Sequence, residues 1–225
     1  MRSQPQKTTQ PTCGTAAQDS IDFGPSLTLR GVRMRFERNE EIFGESEAAE
    51  YVYRVVSGAV RTMRFSSDGR RQILGFHLPG DVFGWELGDK HTLSAEAVSA
   101  ADVIMVRRSL VEKASAQDLQ AAHAVLALIS QSLNTARDHA VVLGRKGAGE
   151  RVAAFLLQLA DRFVSRTELD LPMSRADIAD YLGLTIETVS RAFSEMERQC
   201  AIALPSSRHV VVRNHAALED LQVAA

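Results

Sequence analysis

The sequence predicts an α+β protein with an N-terminal antiparallel β-roll, one long helix and a C-terminal winged helix-turn-helix. Three observations predict this order. Short alternating apolar runs separated by glycines fill residues 27–106, a heptad pattern follows in residues 119–143, and two short amphipathic segments flank Gly183. The expected parts are a disordered tail over 1–22, the β-roll over 23–108, a dimerisation helix region over 109–143 and the winged helix-turn-helix over 144–225.

Composition excludes several classes of protein. The chain has 225 residues, of which 45% are hydrophobic and 24% are charged, as in ordinary globular proteins. No run approaches the ~20 apolar residues of a membrane span, and the polar start of the chain lacks the core of a signal peptide. Two cysteines, Cys13 and Cys200, cannot form a disulfide framework or a four-thiolate metal site. We therefore expect a cytoplasmic protein with no membrane partner, no metal and no cofactor.

The β-roll prediction depends on strand-like runs and on the turns between them. Strand-like runs occur at 51–56, 59–65, 71–78 and 103–106, and those on either side of Asp68-Gly69 alternate with period 2. Asp68-Gly69 between two of these runs is a strong hairpin signal, and Pro79-Gly80-Asp81 marks a further turn. Several short strands at regular spacing are typical of an antiparallel sandwich or barrel.

Apolar residues on the predicted long helix repeat at alternating spacings of three and four over 25 residues. This is the spacing of the a and d positions of a coiled coil, and such a helix would be about 37 Å long. The period is nearer 3.5 than 3.6, which favours a self-paired seam and a parallel homodimer. The alternative is a single amphipathic helix packed on its own domain. The stripe consists of Leu119, Ala122, Leu126, Ile129, Leu133, Ala136, Ala140 and Leu143.

Residues 174–191 carry the features of a helix-turn-helix. Ser174, with Asp177 three residues later, marks the start of a short helix, and Gly183 ends it in a left-handed conformation. Thr185 then caps a second helix. The inner faces are expected at Ile178, Ala179 and Leu182 on the first helix and at Val189, Phe193 and Met196 on the second, with Leu184 buried in the turn.

Two flanking segments complete the predicted C-terminal domain. The glycine-rich residues 144–149 break the long helix as a connector, because they lack the GxxxxGK[ST] order of a phosphate loop. A further amphipathic helix is expected over 150–164. Residues 202–213 read as a terminal hairpin, which would make the domain a winged helix-turn-helix.

The second helix of a helix-turn-helix enters the DNA major groove with its N-terminal end. Here Glu187 can accept from cytosine, Arg191 can donate two bonds to guanine, and Ile186 can contact a thymine methyl. Ser190 can contact a base edge or a phosphate. The alternative for Glu187 and Arg191 is an exposed i, i+4 ion pair. The expected DNA-contacting residues are Ser174, Arg175, Thr185, Ile186, Glu187, Thr188, Ser190 and Arg191, with Arg208 and His209 on the wing as phosphate contacts or, alternatively, part of a solvated turn.

Net charge does not indicate nucleic-acid binding. The whole chain carries a formal charge of −2, and residues 145–225 hold 10 Lys and Arg against 11 Asp and Glu. Nine of those ten cations are arginine, which suits bidentate contacts with phosphate and guanine. DNA binding must therefore depend on the local placement of arginines.

These features together resemble the CRP/FNR family of transcription regulators, over about residues 25–215. Within the family the similarity is greatest to the FixK group, through FHLPGDVFG at 76–84, HTLSAEAV at 91–98, LPMSRADIADYLG at 171–183 and LTIETVSR at 184–191. The resemblance implies a β-roll like that of cyclic-nucleotide-binding domains. It also implies a homodimer that binds double-stranded DNA and contacts RNA polymerase.

The resemblance further implies a DNA site and a set of target genes. FixK-group proteins activate microaerobic, denitrification and nitrogen-fixation genes. The pattern of Glu187, Ser190 and Arg191 is similar to that of the FNR and FixK proteins that read TTGA-N6-TCAA palindromes. The catabolite-activator branch has an arginine where Ile186 stands, so the half-site of that branch is not expected.

The sequence argues against three effectors known in this family. Family members that bind cyclic nucleotides hold the phosphate with an arginine, but residues 92–97 contain no arginine and add Glu96, so cyclic AMP is not expected. Two distant cysteines cannot hold an iron–sulfur cluster. Haem would need His77, for which a structural role is expected because no second ligand is evident. Cys200 is a possible redox-sensitive thiol; the alternative is an inert, half-buried one.

We therefore expect a FixK-type transcription regulator, most simply an activator, that binds its palindrome as a homodimer without cyclic nucleotide. An enzyme is not expected, because GxSxG, HExxH and CxxC motifs are absent and the six histidines form no metal-spaced pair. The alternative is a ligand- or haem-dependent sensor of the same family. A purely structural dimerisation module is a third reading, which the helix-turn-helix disfavours.

Overall fold

The computed structural model describes residues 19–24, 27–144, 147–163 and 165–223. Within these ranges the N-terminal part is built of short antiparallel strands. They are β1 (Ser20–Asp22), β2 (Thr28–Arg30), β3 (Val32–Phe36), β4 (Glu41–Phe43), β5 (Tyr51–Ser57), β6 (Val60–Phe65), β7 (Arg71–His77), β8 (Val82–Phe83), β9 (Ser94–Ala97) and β10 (Ala101–Arg107).

Two four-stranded sheets face each other and form the β-roll. Their strand orders are β3-β10-β5-β8 and β4-β9-β6-β7, and β1 pairs with β2 beside them. Side chains of both sheets, among them Phe43, Tyr53, Val60 and Phe83, make one buried cluster between them. The predicted hairpin is confirmed: β6 and β7 are joined at Gly69, which has the positive φ of 79° that glycine adopts without strain.

Helices follow the β-roll and cover the outer face of one sheet. They are α1 (Arg108–Gln117) and α2 (Leu119–Leu143), separated by the extended residue Asp118, whose side chain caps α2 by accepting from the backbone N–H of Gln120 at 2.8 Å. Val111 and Ala121 pack on Val52, Ile104 and other residues of β5 and β10. No helix in the described ranges is both long enough and apolar enough to cross a membrane.

The C-terminal part is a winged helix-turn-helix and shares a core with the β-roll. Its elements are α3 (Ala148–Ala160), β11 (Glu168–Asp170), α4 (Arg175–Leu182), α5 (Ile186–Arg198), β12 (Ile202–Ala203), β13 (His209–Val212) and α6 (His215–Val223). The wing is a three-stranded sheet of order β11-β13-β12. Met63, Ile73 and Phe76 on the outer face of β6 and β7 belong to the same buried cluster as Phe155 and Tyr181 of this domain.

The structure corrects one predicted boundary. The disordered tail was expected to reach residue 22, yet β1 starts at Ser20 and pairs antiparallel with β2. Ile21 is fully buried in the cluster beneath α1 and α2. Ile21 alone between polar neighbours is too short a pattern to indicate a strand. The strand forms by pairing with β2, in which Leu29 lies opposite Ile21. Residues 1–18, with Cys13, lie outside the described residues.

Candidate nucleic-acid interface

The first helix of the helix-turn-helix, α4, begins and ends as the sequence predicts. The Ser174 hydroxyl accepts from the backbone N–H of Asp177 at 3.2 Å, and the Asp177 carboxylate accepts from the backbone N–H of Ser174 at 3.0 Å, so the capping box is complete. Gly183 ends the helix at φ 63° and ψ 42°, in the left-handed region. Ile178, Ala179 and Leu182 are buried.

The second helix, α5, is held against the first by its apolar face. Thr185 caps it by accepting from the backbone N–H of Thr188 at 3.2 Å. Val189, Phe193 and Met196 are each at most 2% exposed, which confirms the predicted inner face. Leu184 in the turn is only partly buried against the same cluster. The cap and the inner face together fix which side of α5 points outward.

The N-terminal end of α5 presents the predicted base-reading side chains to solvent. Ile186 is 48% exposed, an unusual position for isoleucine, and Glu187, Ser190 and Arg191 are exposed beside it. The pKa of Glu187 is lowered by its own backbone N–H, by the Thr185 hydroxyl and by the charge of Arg191, so Glu187 is ionised at neutral pH. In the described part of the chain the salt bridge on this helix joins Arg198 to Glu195, not Arg191 to Glu187.

Four other predicted contact residues are engaged within the protein. The hydroxyls of Ser174, Thr185 and Thr188 serve the two helix caps. The guanidinium of Arg175 lies 3.2 Å from the centre of the Phe193 ring, and its buried Nη1 has no hydrogen-bond partner among the described residues. Burial lowers the pKa of Arg175 to about 10, so it remains charged at neutral pH. The structure thus places Arg175 in the contact between α4 and α5.

The wing holds the last two predicted contact residues at its tip. His209 Nδ1 lies 2.6 Å from Asp170 Oδ1, so the imidazole is tied to the neighbouring strand β11. The backbone carbonyl of Arg208 accepts from the N–H of Leu171 at 2.8 Å, and its side chain is partly exposed. The terminal hairpin predicted from the sequence is confirmed, because β12 pairs antiparallel with β13. The third strand of the wing, β11, was not predicted because Glu168–Asp170 has only one apolar residue.

The heptad stripe of α2 faces away from the rest of the chain. Ala121, His139 and Val142, on the opposite side of the helix, are the buried ones. Leu119, Leu126, Ile129 and Leu133 are 73%, 59%, 38% and 50% exposed, respectively. Ala136 and Ala140 are exposed as well, whereas Ala122 and Leu143 are partly buried. Helix α2 thus packs on its own chain through the other side, and the stripe residues Leu119, Leu126, Ile129 and Leu133 remain exposed.

Cys200 lies directly after α5 in a strained conformation. Its φ is 57°, and its N–H donates to the carbonyl of Glu197 while that of Ala201 donates to Met196, the pattern of a Schellman motif. Glycine is the usual residue at this position because it has no Cβ. Its thiol is exposed, not half-buried as the inert alternative assumed.

Aromatic rings fill the interior of the β-roll. His91 stacks on Phe43 at 3.7 Å, and Tyr53 lies 5.1 Å from Phe43 and 5.2 Å from Phe83. His77 closes the series 4.8 Å from Phe83, and its Nε2 lies 3.1 Å from the Thr62 hydroxyl. Burial lowers the pKa of His77 to about 4 despite the opposing charge of Asp81, so His77 is neutral. Among the described residues no cluster of three or more His, Cys, Asp or Glu side chains is arranged to hold a metal ion.

Glu96 has a partner that the sequence did not reveal. Arg61 Nη2 donates to Glu96 Oε2 at 2.5 Å and to Asn39 Oδ1 at 3.2 Å. The Arg61 side chain is 5% exposed. The negative charge of Glu96 is thus paired from within the chain.

Comparisons with known proteins agree with the fold and the helix-turn-helix. Residues 33–118 match the model of the cyclic nucleotide-binding domain, and residues 150–221 match that of the Crp-like helix-turn-helix domain. The nitrogen fixation regulation protein FixK of Azorhizobium caulinodans is 48% identical over 92% of this chain and 86% of that protein. FixK of Rhizobium meliloti is 40% identical over 88% of this chain and 92% of that protein.

A solved structure gives the same result in three dimensions. FixK2 from Bradyrhizobium japonicum superposes with a TM-score of 0.84 at 50% identity, covering 88% of this chain and all of that one. A CooA mutant from Carboxydothermus hydrogenoformans, at 18% identity and a TM-score of 0.71, shares the fold. The similarity therefore spans both the β-roll and the winged helix-turn-helix.

Proposed function

The chain belongs to the CRP/FNR family as a FixK-type transcription regulator, and we propose that it binds a TTGA-N6-TCAA-like palindrome as a homodimer without a small-molecule effector. Its helix-turn-helix makes it a DNA-binding protein, and its relatives are regulators, not enzymes. The observation that supports this proposal is that one chain has two solvent-exposed surfaces suited to binding. One is the apolar stripe of α2, and the other is the reading end of α5.

The homodimer is supported by the exposed stripe. Burying a leucine or isoleucine side chain contributes roughly 1.5–3 kcal/mol, so leaving Leu119, Leu126 and Leu133 in water would be costly. A second copy offers an identical stripe at the same 3.5-residue period, and the three alanines let the two helices approach closely. A palindrome has two-fold symmetry and matches such a dimer.

Readout of the half-site is supported by the chemistry of α5. An ionised Glu187 can accept from a cytosine amino group, and Arg191, free of a salt bridge to it, can donate to guanine O6 and N7. Ser190 and the exposed Ile186 are four residues apart and therefore lie on the same face of the helix. Ser174, Thr185 and Thr188 position the two helices through their caps, and Arg175 does so through its contact with the Phe193 ring. Arg208 and His209 lie on the wing, near the DNA phosphates.

Effector independence is supported by the β-roll. Its interior is occupied by stacked rings, so a nucleotide would have to displace Phe43, Tyr53 or Phe83. Arg61 is already bonded to Glu96, so its charge is not available to a phosphate. His77 is engaged with Thr62 and Phe83, which disfavours the haem-dependent alternative. We propose that the protein acts in the cytoplasm as an activator that contacts RNA polymerase, at nitrogen-fixation or other microaerobic or denitrification genes.

The test is a titration of metal-free, ligand-free protein against a TTGA-N6-TCAA duplex at fixed salt, with a scrambled duplex as competitor. We expect nanomolar-range binding that is at least about 1,000-fold selective. An absorption spectrum of the same sample tests for haem. Binding that appears only after a metabolite or haem is added would contradict effector independence, and equal binding to the scrambled duplex would contradict the half-site.

A further inference from the structure

A cluster of charged side chains joins the β-roll to the first helix of the helix-turn-helix. Arg61 Nη1 donates to Asp177 Oδ1 at 3.0 Å, and Arg71 Nη2 donates to the same oxygen at 2.8 Å. Arg71 Nε also donates to Asp180 Oδ2 at 2.8 Å. The arginines stand on the neighbouring strands β6 and β7, and the aspartates stand three residues apart on α4. We call these four residues the interdomain charge cluster.

Asp177 has two tasks, one for each carboxylate oxygen. Its Oδ1 accepts from the two arginines of the β-roll, while its Oδ2 accepts from the backbone N–H of Ser174 at 3.0 Å and from the Ser174 hydroxyl at 2.7 Å. The same side chain therefore starts α4 and attaches it to the β-roll. The side chains of Arg61 and Asp177 are each 5% exposed, so water hardly competes for the bond between them, whereas Arg71 and Asp180 are 23% and 32% exposed.

The cluster fixes the orientation of α4 on the β-roll more than it stabilises the contact. Buried ion pairs rarely add net stability, because removing two charges from water costs about as much as their attraction returns. The apolar contact around the cluster, which includes Met63 and Phe76, supplies the burial that holds the domains together. An apolar contact alone tolerates small rotations, whereas two arginines aimed at one carboxylate do not.

The other end of α4 is attached to α2. The ring of Tyr181 stacks on His139 at 3.8 Å, and His139 Nε2 lies 2.9 Å from the backbone carbonyl oxygen of Tyr181. Phe76 of β7 packs on the same tyrosine at 5.1 Å. Helix α4 is thus fixed at its start to the β-roll and at its end to the helix that carries the open stripe.

From this geometry we infer that Arg71, with Asp177 and Asp180, acts as a positioning residue that sets the half-site spacing the dimer accepts. The inference deepens the proposed function and rests on the homodimer in it. In a dimer paired along α2, the distance between the two copies of α5 depends on how each winged domain is held against its own β-roll and α2.

Arg71→Glu tests this without replacing a cap residue or a reading residue. Duplexes carrying TTGA and TCAA with spacers of five, six and seven base pairs are titrated with each variant. We expect the variant to keep its preference for TTGA over scrambled half-sites, while its preference for the six-base-pair spacer falls at least about fivefold. Arg71→Lys, which keeps the charge, should restore most of that spacing preference.

Arg70→Glu is the matched control. It makes the same change of charge one residue away, but Arg70 is 85% exposed and pairs with Asp68 in its own turn, so the spacing preference should not change. An unaltered spacing preference in Arg71→Glu would overturn the inference, as would an equal loss on all spacers, which indicates general damage. If the wild-type protein itself fails to prefer the palindrome over scrambled DNA, the proposed function fails, and the inference falls with it.

Discussion

Two arginines show how differently the two halves of the molecule use charge. Arg61 of the β-roll is buried and bonded to Glu96, Asn39 and Asp177. Arg191 of the recognition helix α5 is exposed beside an ionised Glu187. A buried charge that is bonded through both terminal nitrogens, as Arg61 is, cannot be recruited by a ligand without breaking those bonds, whereas an exposed one is available to DNA.

This difference in charge use assigns a supporting role to the β-roll and DNA recognition to the helix-turn-helix. The β-roll has the fold of a cyclic nucleotide-binding domain, yet its interior is filled with stacked rings and its buried Arg61 is paired with carboxylates of the same chain. The N-terminal end of the second helix of the helix-turn-helix is instead exposed to solvent, with Arg191 among its exposed side chains. In this account the N-terminal half holds two reading ends at a fixed distance, and the C-terminal half makes the contacts with DNA.

The largest effect is expected from breaking the pairing of the two copies. Leu133→Glu puts a charge in the middle of the apolar stripe, where Leu133 is 50% exposed in the single chain. We expect a monomer by sedimentation velocity and a loss of at least about 100-fold in affinity for the full palindrome, because each half-site is then bound alone. Gln131→Glu, on an exposed position of the same helix outside the stripe, is the control. A dimer that persists in Leu133→Glu would show that the seam lies elsewhere.

Removing the exposed arginine should affect selectivity. Arg191→Ala is expected to cost about 1–3 kcal/mol of DNA-binding free energy and to relax the preference at one base pair of each half-site. Competition with single-base variants of the half-site measures this. Arg198→Ala, in the last turn of the same helix and paired with Glu195, should leave that preference intact. An equal loss on every sequence would instead identify Arg191 as a phosphate contact.

Arg175 should behave in the opposite way. Because its guanidinium lies on the Phe193 ring, Arg175→Ala removes a contact between α4 and α5 worth about 0.5–2 kcal/mol. We expect a lower melting temperature with base preferences retained. Chemical denaturation and the single-base competition separate the two effects, and a changed base preference at unchanged stability would return Arg175 to the reading surface.

The smallest effect is expected at Cys200. Glycine relieves the left-handed strain at φ 57°, so Cys200→Gly should stabilise the fold by about 0.4–1 kcal/mol. Cys200→Ser should leave both stability and DNA affinity close to wild type, measured under reducing conditions. Lower stability in the glycine variant would mean that the thiol makes a packing contact that outweighs the backbone strain.

Local patterns predicted much of this molecule. The capping box at Ser174 and the left-handed Gly183 each follow from residues a few positions apart, and both are found as predicted. The long helix is found too, with most of its heptad stripe exposed, while the pairing of two such stripes stays a prediction. The pairing of Arg61 with Asp177 joins residues 116 positions apart, and nothing in either local pattern indicates it. Strand β6 is buried on both faces because the winged domain covers its outer side, so alternation alone cannot reveal the buried arginine. Arg175 was assigned to DNA from its place in the motif, since the ring that holds it is 18 residues away.

The central claim is that the β-roll supports DNA binding without a ligand. The most direct measurement compares the palindrome affinity of the purified protein with that of the same protein unfolded, dialysed free of small molecules and refolded. The account predicts the same dissociation constant for both samples, within about twofold, and no change on adding cyclic AMP. A refolded protein that is dimeric and folded but binds at least ten times more weakly, and recovers when an extract of small molecules is returned, would contradict it.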